Sequence, residues 1–378
     1  MNGFDTAFVF ASDLHLRPQT WLQHPRLRND AYVSLNAIAQ YCFSQRLPLV
    51  LGGDIFDSNR PDSESVNNLN IAARRLQSVG LYFIQGNHDK CPFVPWATIG
   101  TGATWIDRTT VTIAGIDVFG LDWLSASRLR DALPSITSAS VLVCHQAWRE
   151  VQGVGATDAT LDDIPPHVSV LLTGHNHVTS TSRFTRSDGS ELLVVSPGST
   201  YVNRINEAAD KYFFVIGLRD GRFDCIQLKL PTRIVVDVQL RSKQELDAFI
   251  TSTIFDDATA ASESLHESIR LPIYRLSFNS DIPEAFESLQ RAIGDRGYLF
   301  PRPIQTTKEI VTDLDDSPAS FETLIDAVRR MADDDLVVSD ASRLFQSSDR
   351  VAELAVMERE HMERTVNAGA LIEAMRCK

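Results

Sequence analysis

The sequence lacks an apolar run that could span a membrane, since none approaches the roughly 18 to 20 residues that a transmembrane helix needs. The first residues, MNGFDTAFVFASDLHL, lack the basic start of a secretory leader and include Asp5. The five cysteines are odd in number, scattered, and never spaced as C-x-x-C, which argues against a disulfide framework and a zinc ribbon. We therefore expect a cytoplasmic protein with free thiols and no membrane partner.

Basic residues are also few, because 36 Lys and Arg stand against 49 Asp and Glu, for a net charge of −13. Nucleic-acid binding normally requires a basic surface, so this balance at first disfavours such a partner. The acidity is uneven, however. Residues 1–230 carry 22 acidic and 19 basic side chains (net −3), whereas residues 231–378 carry 27 and 17 (net −10). The first 230 residues are thus compatible with a polyanionic partner.

Residues 1–230 contain short apolar strands, each followed by a polar loop, with amphipathic helices predicted at 30–45 and 62–79. The strand candidates are AFVFAS, LPLVLGG, LYFIQG, VTIAGIDVFGL, ASVLVCH, VSVLLTGH, ELLVVSPG and KYFFVIGL. Many are continuous Val, Ile and Leu runs, which are typical of strands buried on both faces. This alternation predicts an α/β (α+β) fold in which a sandwich of two sheets is flanked by helices.

The pattern changes after LKLPTR. Residues 231–312 follow the order β-α-β-α-β and predict a small α/β domain, and residues 313–378 are acidic and helical, with helices expected at 317–332 and 344–375. An apolar stripe in the second of these helices comprises Val351, Leu354, Met362, Val366 and Ala370. Such a stripe is explained either by core packing or by docking onto the helices of a partner.

Polar residues of metal-ligand type follow the apolar strands in five places. These are Asp13 and His15 in SDLHL, Asp54 in GGDIFD, Asn87, His88 and Asp89 in GNHD, His145 in VCHQ, and His175 and His177 in GHNH. Because the carboxyl ends of strands form the edge at which α/β sheets bind ligands, these groups can converge on one site. Any single motif is also explained by a helix cap, a turn or a core histidine. The five together are not.

Carboxylates, an amide oxygen and imidazoles suit divalent ions such as Mn²⁺, Fe²⁺ or Zn²⁺. Seven ligands exceed what one ion with an open position can use. Two ions about 3.5 to 4 Å apart, sharing a carboxylate, would use them all, and this is the usual arrangement for displacement at phosphorus. The sequence therefore predicts a two-metal phosphoesterase centre.

These motifs resemble those of the calcineurin-like metallophosphoesterases, whose pattern D-x-H, G-D-x-x-D, G-N-H-D, H and G-H-x-H is matched in full. More narrowly, SDLHL, GGDIFDSNRP, QGNHD and SPGST are similar to the wording of the SbcD family of DNA-repair exonucleases, the nuclease partners of SMC-like ATPases of the SbcC type. The resemblance implies a four-layered β-sandwich nuclease domain at 1–230, a DNA-binding capping domain at 231–312 and a partner-binding helical region at 313–378.

The resemblance also implies roles for individual residues. One ion is assigned to Asp13, His15, Asp54 and His177, and the other to Asp54, Asn87, His145 and His175, with Mn²⁺ the expected metal. His88 is then the catalytic acid or transition-state donor, and Asp89 orients it. Asp57 lies where some relatives carry a histidine that aids catalysis.

Four arginines near the motif loops, Arg17, Arg60, Arg149 and Arg204, are candidates for contacts with the DNA backbone or for simple solvation. The resemblance implies exonuclease action on double-stranded DNA, endonuclease action on single strands, and a homodimer. One alternative is a phosphodiesterase or phosphatase acting on a small molecule or a protein, since the metal motifs are shared across the superfamily. Another is a catalytically dead scaffold, against which the complete ligand set argues.

Overall fold

The structure is a computed structural model that describes residues 3–19, 26–91, 95–98, 100–152, 157–204, 207–278 and 285–303. In these ranges the strands are β1 (Thr6–Ala11), β2 (Leu49–Gly52), β3 (Leu81–Ile84), β4 (Thr104–Trp105), β5 (Thr110–Ile113), β6 (Ile116–Leu121), β7 (Val141–His145), β8 (Val170–Gly174), β9 (Ser180–Thr185), β10 (Glu191–Ser196), β11 (Tyr212–Arg219), β12 (Arg222–Lys229), β13 (Val235–Leu240), β14 (Ile273–Phe278) and β15 (Tyr298–Pro303). The helices are α1 (Asp30–Gln45), α2 (Ser63–Arg75), α3 (Ala126–Ala132), α4 (Arg149–Gln152), α5 (Lys243–Ile250), α6 (Ile254–Glu263) and α7 (Ala285–Ile293).

Two large mixed sheets form the centre of the fold. The first is six-stranded in the order β12-β11-β1-β2-β3-β4, and the second is six-stranded in the order β5-β6-β7-β8-β10-β9. Strands β1 to β4 run parallel, as do β6, β7, β8 and β10, whereas β5, β9, β11 and β12 pair antiparallel with their neighbours. The parallel strands of each sheet therefore end at one edge, where the motif loops begin.

Alternating side chains show how the layers stack. Phe8 and Phe10 of β1 share a buried cluster with Val143 of β7 and Leu172 of β8, so the two sheets pack face to face. The intervening Val9 packs instead among residues of α1 and α2 on the outer face of the first sheet. Residues of α3 cover the outer face of the second sheet in the same way. The predicted α/β fold, a sandwich of two sheets flanked by helices, is confirmed.

The local elements follow their sequence signals with two exceptions, the end of one helix and one strand. Helix α1 has the predicted bounds, and α2 begins after Asp62, whose carboxylate accepts a 2.9 Å hydrogen bond from the Ser65 N–H, but α2 ends at Arg75 rather than at residue 79, because residues 76–79 form turns. The segment VTIAGIDVFGL, predicted as one strand, is instead the hairpin β5–β6. Ala114 and Gly115 both have positive φ, 49° and 81°, which is the backbone of a tight two-residue turn. An Ala-Gly pair is a weaker turn signal than Asn-Gly, which is why the sequence did not reveal it.

Strands β13, β14 and β15 form a separate parallel sheet with α5, α6 and α7 packed against its apolar core. This is the β-α-β-α-β order predicted for residues 231–312, with one additional helix between β13 and β14. Met1–Ile304 form one compact unit that contains this small sheet and the sandwich. The domain boundary at residue 230 stays a prediction, and the predicted helices of residues 313–378 lie outside the described residues.

A helix that crosses a membrane must be long and apolar. Within the described residues, no helix has both the length and the apolar character that this would take.

Candidate metal centre

The five polar motifs meet at one edge of the sandwich. Asp13 and His15 follow β1, Asp54 follows β2, Asn87 and His88 follow β3, His145 ends β7, and His175 and His177 follow β8. Hydrogen bonds join the loops of the two sheets: the His145 Nδ1–H donates to the Gly52 carbonyl (2.8 Å), and the His175 N–H donates to the Asp13 carboxylate (3.2 Å). The structure therefore brings together all seven predicted ligands and His88.

The ligand atoms form two adjacent groups. Asp13, His15 and His177 offer three atoms that all lie within 4.8 Å of one another, and Asp13, Asp54 and His145 form a second such group, which shares Asp13 with the first. Asp54 also lies close to the first group, because its Oδ2 is 3.2 Å from His145 Nε2 and 3.7 Å from His15 Nε2. The arrangement has the form of two neighbouring cation sites connected by buried carboxylates.

Asn87 and His175 are placed together beside the second group. The Nδ1 of His175 lies 3.0 Å from the Asn87 amide oxygen, and the His145 and His175 rings are 5.3 Å apart. This agrees with the pairing of Asn87, His145 and His175 that the sequence predicted, although their roles as ligands stay a prediction.

Unpartnered imidazole nitrogens indicate that a cation fits the site. The Nε2 of His145 is buried and makes no well-aligned hydrogen bond among the described residues, although Asp54 Oδ2 lies 3.2 Å away, while its Nδ1 is held by Gly52. The Nε2 atoms of His15 and His177 lie 3.1 Å apart, and a carboxylate lies beside the Nδ1 of each ring, Asp57 at 3.3 Å and Glu207 at 2.6 Å. With a hydrogen on the Nδ1 atom of each ring, the two Nε2 lone pairs face each other and repel. A cation bound by both nitrogens would replace this repulsion with attraction.

Metal binding requires neutral imidazoles and ionised carboxylates, and His15, His175 and Asp54 suit it. His145 differs, because Asp54 and Asp13 outweigh the effect of burial and raise its pKa to about 10, so an ion that bound there would displace a proton from this ring. Burial lowers the pKa of His15, although Asp57 and Asp54 oppose this effect. Burial and the neighbouring His145 lower the pKa of His175. Burial alone would raise the pKa of Asp54, but His145 and His15 hold it well below its ordinary value. Asp54 is therefore a carboxylate at neutral pH.

Backbone strain is concentrated on the predicted ligands. Asp13, His15, Asp54 and His175 have φ values of 53°, 41°, 48° and 81°, in the left-handed region that residues other than glycine seldom adopt. Such conformations cost of order 1 to 3 kcal/mol each and persist where the surroundings enforce them, most often at functional sites. These conformations occur at or just after the ends of β1, β2 and β8, where the motif loops begin.

Two glycines allow the loops to approach one another this closely. A Cβ on Gly86 would collide with the Asp54 side chain and backbone, and one on Gly174 would collide with Ser12 and come within 2.5 Å of His145 Nδ1. The motifs GNHD and GHNH therefore have glycine at these two positions because no larger side chain fits there.

The sequence profile of the calcineurin-like phosphoesterase family matches residues 6–179, a range that includes all five motif groups. The chain contains a calcineurin-like metallophosphoesterase domain. Proteins with this domain use divalent metals for phosphoester hydrolysis, in agreement with the ligand cluster found at the sandwich edge. This match confirms the resemblance to the calcineurin-like metallophosphoesterases that the motifs indicated, and it supports metal-dependent phosphoester hydrolysis.

Among curated proteins, the chain is similar to the DNA double-strand break repair protein Mre11 of Haloferax volcanii, with 25% identity over 256 residues, or 64% of this chain. The matched region spans 56% of the length of that relative. Among solved structures, the chain is similar to Vps29 of Entamoeba histolytica, with 12% identity and a TM-score of 0.28, over 59% of this chain and 98% of that chain. It is also similar to a cold-active protein-tyrosine phosphatase of Shewanella sp., with 12% identity and a TM-score of 0.30, over 60% of this chain and 80% of that chain. Likeness at this level supports no assignment of function.

His88 lies at the centre, with its ring 4.9 Å from that of His15. Its backbone N–H donates to Asp54 Oδ1 (2.9 Å), and its Nδ1 lies 3.2 Å from the Asp57 carbonyl oxygen, which can only accept. The sequence assigned the orienting role to Asp89, but the Asp89 carboxylate accepts from the N–H groups of Ile55 and Gly86, at 2.6 and 2.7 Å. Asp89 thus ties the loops after β2 and β3 together.

Asp57 and Glu207 are site residues that the sequence motifs did not identify as such. Asp57 contacts His15, as described, and accepts from Arg17 Nη1 at 3.0 Å. Glu207 lies beyond the matched family range and contacts His177. Asp57 ends the motif GGDIFD, in which Asp54 is the predicted ligand, whereas Glu207 falls in none of the five motifs.

The four candidate arginines are not equivalent. Arg17 is largely buried, and its guanidinium donates to the Tyr201 hydroxyl, to Asp57 and to the Asn203 side chain, so it connects loops of the site. Arg60, Arg149 and Arg204 are exposed. Contacts of any of the four with DNA stay a prediction.

Proposed function

We propose that the protein is a two-metal nuclease that hydrolyses phosphodiester bonds in DNA, with Mn²⁺ as the metal. The observation that carries this proposal is the position of the Asp54 carboxylate between His15 and His145, at 3.7 and 3.2 Å. A carboxylate placed between two ligand groups is what a pair of ions at a phosphoryl centre requires.

The seven predicted ligands would hold the two ions in the pairing inferred from the family resemblance. Bound divalent ions supply Lewis acidity to a phosphoryl oxygen and lower the pKa of a water molecule. The chain itself supplies the orientation: Gly52 holds the Nδ1 of His145, Asp57 lies beside that of His15, and Glu207 holds that of His177. These contacts leave the Nε2 atom of each ring as the metal-binding atom.

His88 would act on the substrate rather than on the metals. Because the Asp57 carbonyl accepts the hydrogen of His88 Nδ1, the proton that the ring can gain or lose is at Nε2. That atom would donate its proton to the leaving oxygen as the phosphodiester bond breaks, which typically contributes about 10²- to 10⁴-fold to the rate.

DNA is favoured as the substrate by two observations. The curated relative similar to this chain is named as a DNA double-strand break repair protein, and the similarity extends over 256 residues, well past the metal motifs. The first 230 residues have a net charge near zero, −3, so bound divalent ions would leave this part positive. We propose exonuclease action on double strands and endonuclease action on single strands.

The proposed partners are a second copy of the chain and an SMC-like ATPase of the SbcC type, in the cytoplasm. Residues 231–312 would contact DNA and residues 313–378 would bind the ATPase. Deleting residues 313–378 should abolish co-purification with the ATPase while leaving basal nuclease activity. Unchanged co-purification would discard the role of this segment.

The decisive experiment is cleavage of end-labelled linear double-stranded DNA with Mn²⁺, run beside a small chromogenic phosphodiester. We expect activity on both substrates. His88→Ala should keep both ions, measured by elemental analysis, and lose about 10²- to 10⁴-fold in rate. A variant that has lost its metals would contradict the role given to His88.

Hydrolysis of the small diester alone would favour the alternative, a phosphodiesterase or phosphatase acting on another substrate. Repeating the DNA assay with the ATPase present then separates that alternative from a nuclease that requires its partner. Failure to cleave either substrate with any divalent ion would contradict the proposed function.

A further inference from the structure

Glu207 contacts a predicted metal ligand from outside the family motifs. Its Oε1 accepts a 2.6 Å hydrogen bond from His177 Nδ1. Its Oε2 accepts from Lys211 Nζ (2.6 Å), from Ser199 Oγ (2.7 Å) and from the Asn203 N–H (2.9 Å). The carboxylate is therefore held by four donors, and its side chain is only 8% exposed.

This arrangement determines which nitrogen of His177 faces the metal centre. A carboxylate held in place beside Nδ1 keeps the hydrogen on that atom, so that Nε2 presents its lone pair towards Asp13 Oδ1, 3.6 Å away. With Nδ1 unpartnered, the ring would be able to rotate or to carry its hydrogen on the other nitrogen.

The small sheet is connected to the same residue. Arg275 of β14 is 5% exposed, and its Nη1 donates a 2.7 Å hydrogen bond to the backbone carbonyl of Glu207. Its Nε and Nη2 form a bidentate pair with the carboxylate of Asp237 on the neighbouring strand β13. The two-stranded pairing of β13 and β14 thus fixes the guanidinium that holds the Glu207 main chain.

We propose that Glu207 is a positioning residue for the metal ligand His177, and that Arg275 makes the metal affinity of the sandwich edge depend on the small sheet. The inference rests on the proposed metal centre and not on DNA as the substrate. A ligand of the small sheet that displaced Arg275 would then weaken metal binding by releasing Glu207.

The test is titration of the full-length protein with Mn²⁺ alone, followed by calorimetry. Glu207→Ala should weaken Mn²⁺ binding at one of two sites by about 10- to 100-fold, the usual effect of removing a partner of a metal-ligating histidine. Glu207→Gln should restore much of the affinity, because its amide oxygen can also accept from Nδ1. A role for Glu207 in folding alone would not produce this rescue.

Arg275→Met should weaken the same site by about threefold, because Glu207 keeps its side-chain donors but loses its main-chain tie. The matched control is Arg233→Met. Arg233 also joins the chain beyond β12 to the sandwich, through a buried pair with Asp30 (2.7 Å), but its partners do not include Glu207. We expect the Mn²⁺ affinity of this control to equal that of the wild type.

The outcomes separate the two proposals. A wild type that binds no Mn²⁺ would overturn the metal centre and this inference together. A wild type that binds Mn²⁺, with Glu207→Ala equal to it, would overturn only this inference. Glu207→Ala leaves the Lys211 ammonium buried without a carboxylate, so circular dichroism must show that this variant folds. If the variant does not fold, the comparison of Arg275→Met with Arg233→Met decides. Equal Mn²⁺ affinities of these two variants would overturn the inference.

Discussion

The sandwich edge and the small sheet are built from the same elements, parallel strands joined by helices, but they place polar side chains differently. At the sandwich edge two sheets end together, and hydrogen bonds such as His145 to Gly52 cross from one to the other. In the small sheet, Arg275 pairs with Asp237 on the neighbouring strand and donates a hydrogen bond to the backbone carbonyl of Glu207. The candidate metal centre thus lies where strand ends and loops of two sheets face each other, whereas the single small sheet contacts it through Arg275.

The largest effect should come from Asp54, which contacts both ligand groups. Asp54→Ala should abolish binding of both ions and reduce hydrolysis of a chromogenic diester by about 10⁴-fold or more, since each ion contributes several kcal/mol. The matched control is Asp62→Ala, which removes the cap of α2 and should cost about 1 kcal/mol of stability with unchanged activity. Two ions bound to Asp54→Ala would contradict the shared role.

The junction with the small sheet should affect stability and leave the chemistry intact. Arg233→Met leaves Asp30, 8% exposed, without the two hydrogen bonds that it now accepts. We expect the free energy of unfolding, measured in urea, to fall by about 3 kcal/mol. The rate on the chromogenic diester should not change. A lower rate of diester hydrolysis in the folded variant would show that this junction affects the chemistry as well as the stability.

Metal removal should also lower stability, but its local effect should lie at the sandwich edge rather than at the small sheet. Dialysis against a chelator should lower the free energy of unfolding by about 2.7 kcal/mol relative to protein in Mn²⁺ at 100 times its dissociation constant. Amide hydrogen exchange should accelerate in the loops after β1, β2 and β8, and not in α5 or α6. Uniform acceleration through both regions would show that the metal stabilises the entire unit.

The smallest effect is expected for the exposed arginines. Arg60→Ala should weaken DNA binding about two- to fivefold and reduce the slope of log affinity against log salt by about 0.9, the value for one phosphate contact. Hydrolysis of the small diester should be unchanged. Arg222→Ala, an exposed arginine at the start of β12, is the control. Equal effects of the two variants would assign Arg60 to solvation.

Much of the site was predictable because its signals are local. Each ligand group follows an apolar strand within a few residues, as with Asp13 and His15 after β1, and the ends of parallel strands meet at one edge by geometry. The hairpin at Ala114 and Gly115 was not predictable, because positive φ at an alanine depends on the strands that flank it.

The sequence by itself determined the α/β class, most strands and the two long helices of the sandwich, and the side chains gathered at its edge, since these depend on short-range apolar patterning. Tertiary structure alone decided that Asp57 rather than Asp89 contacts the His88 ring nitrogen Nδ1, and that Glu207 contacts His177 across 30 positions of the chain. Arg275 reaches Glu207 across 68 positions. Such contacts depend on how separately folded segments pack, and no local pattern of residues records that packing.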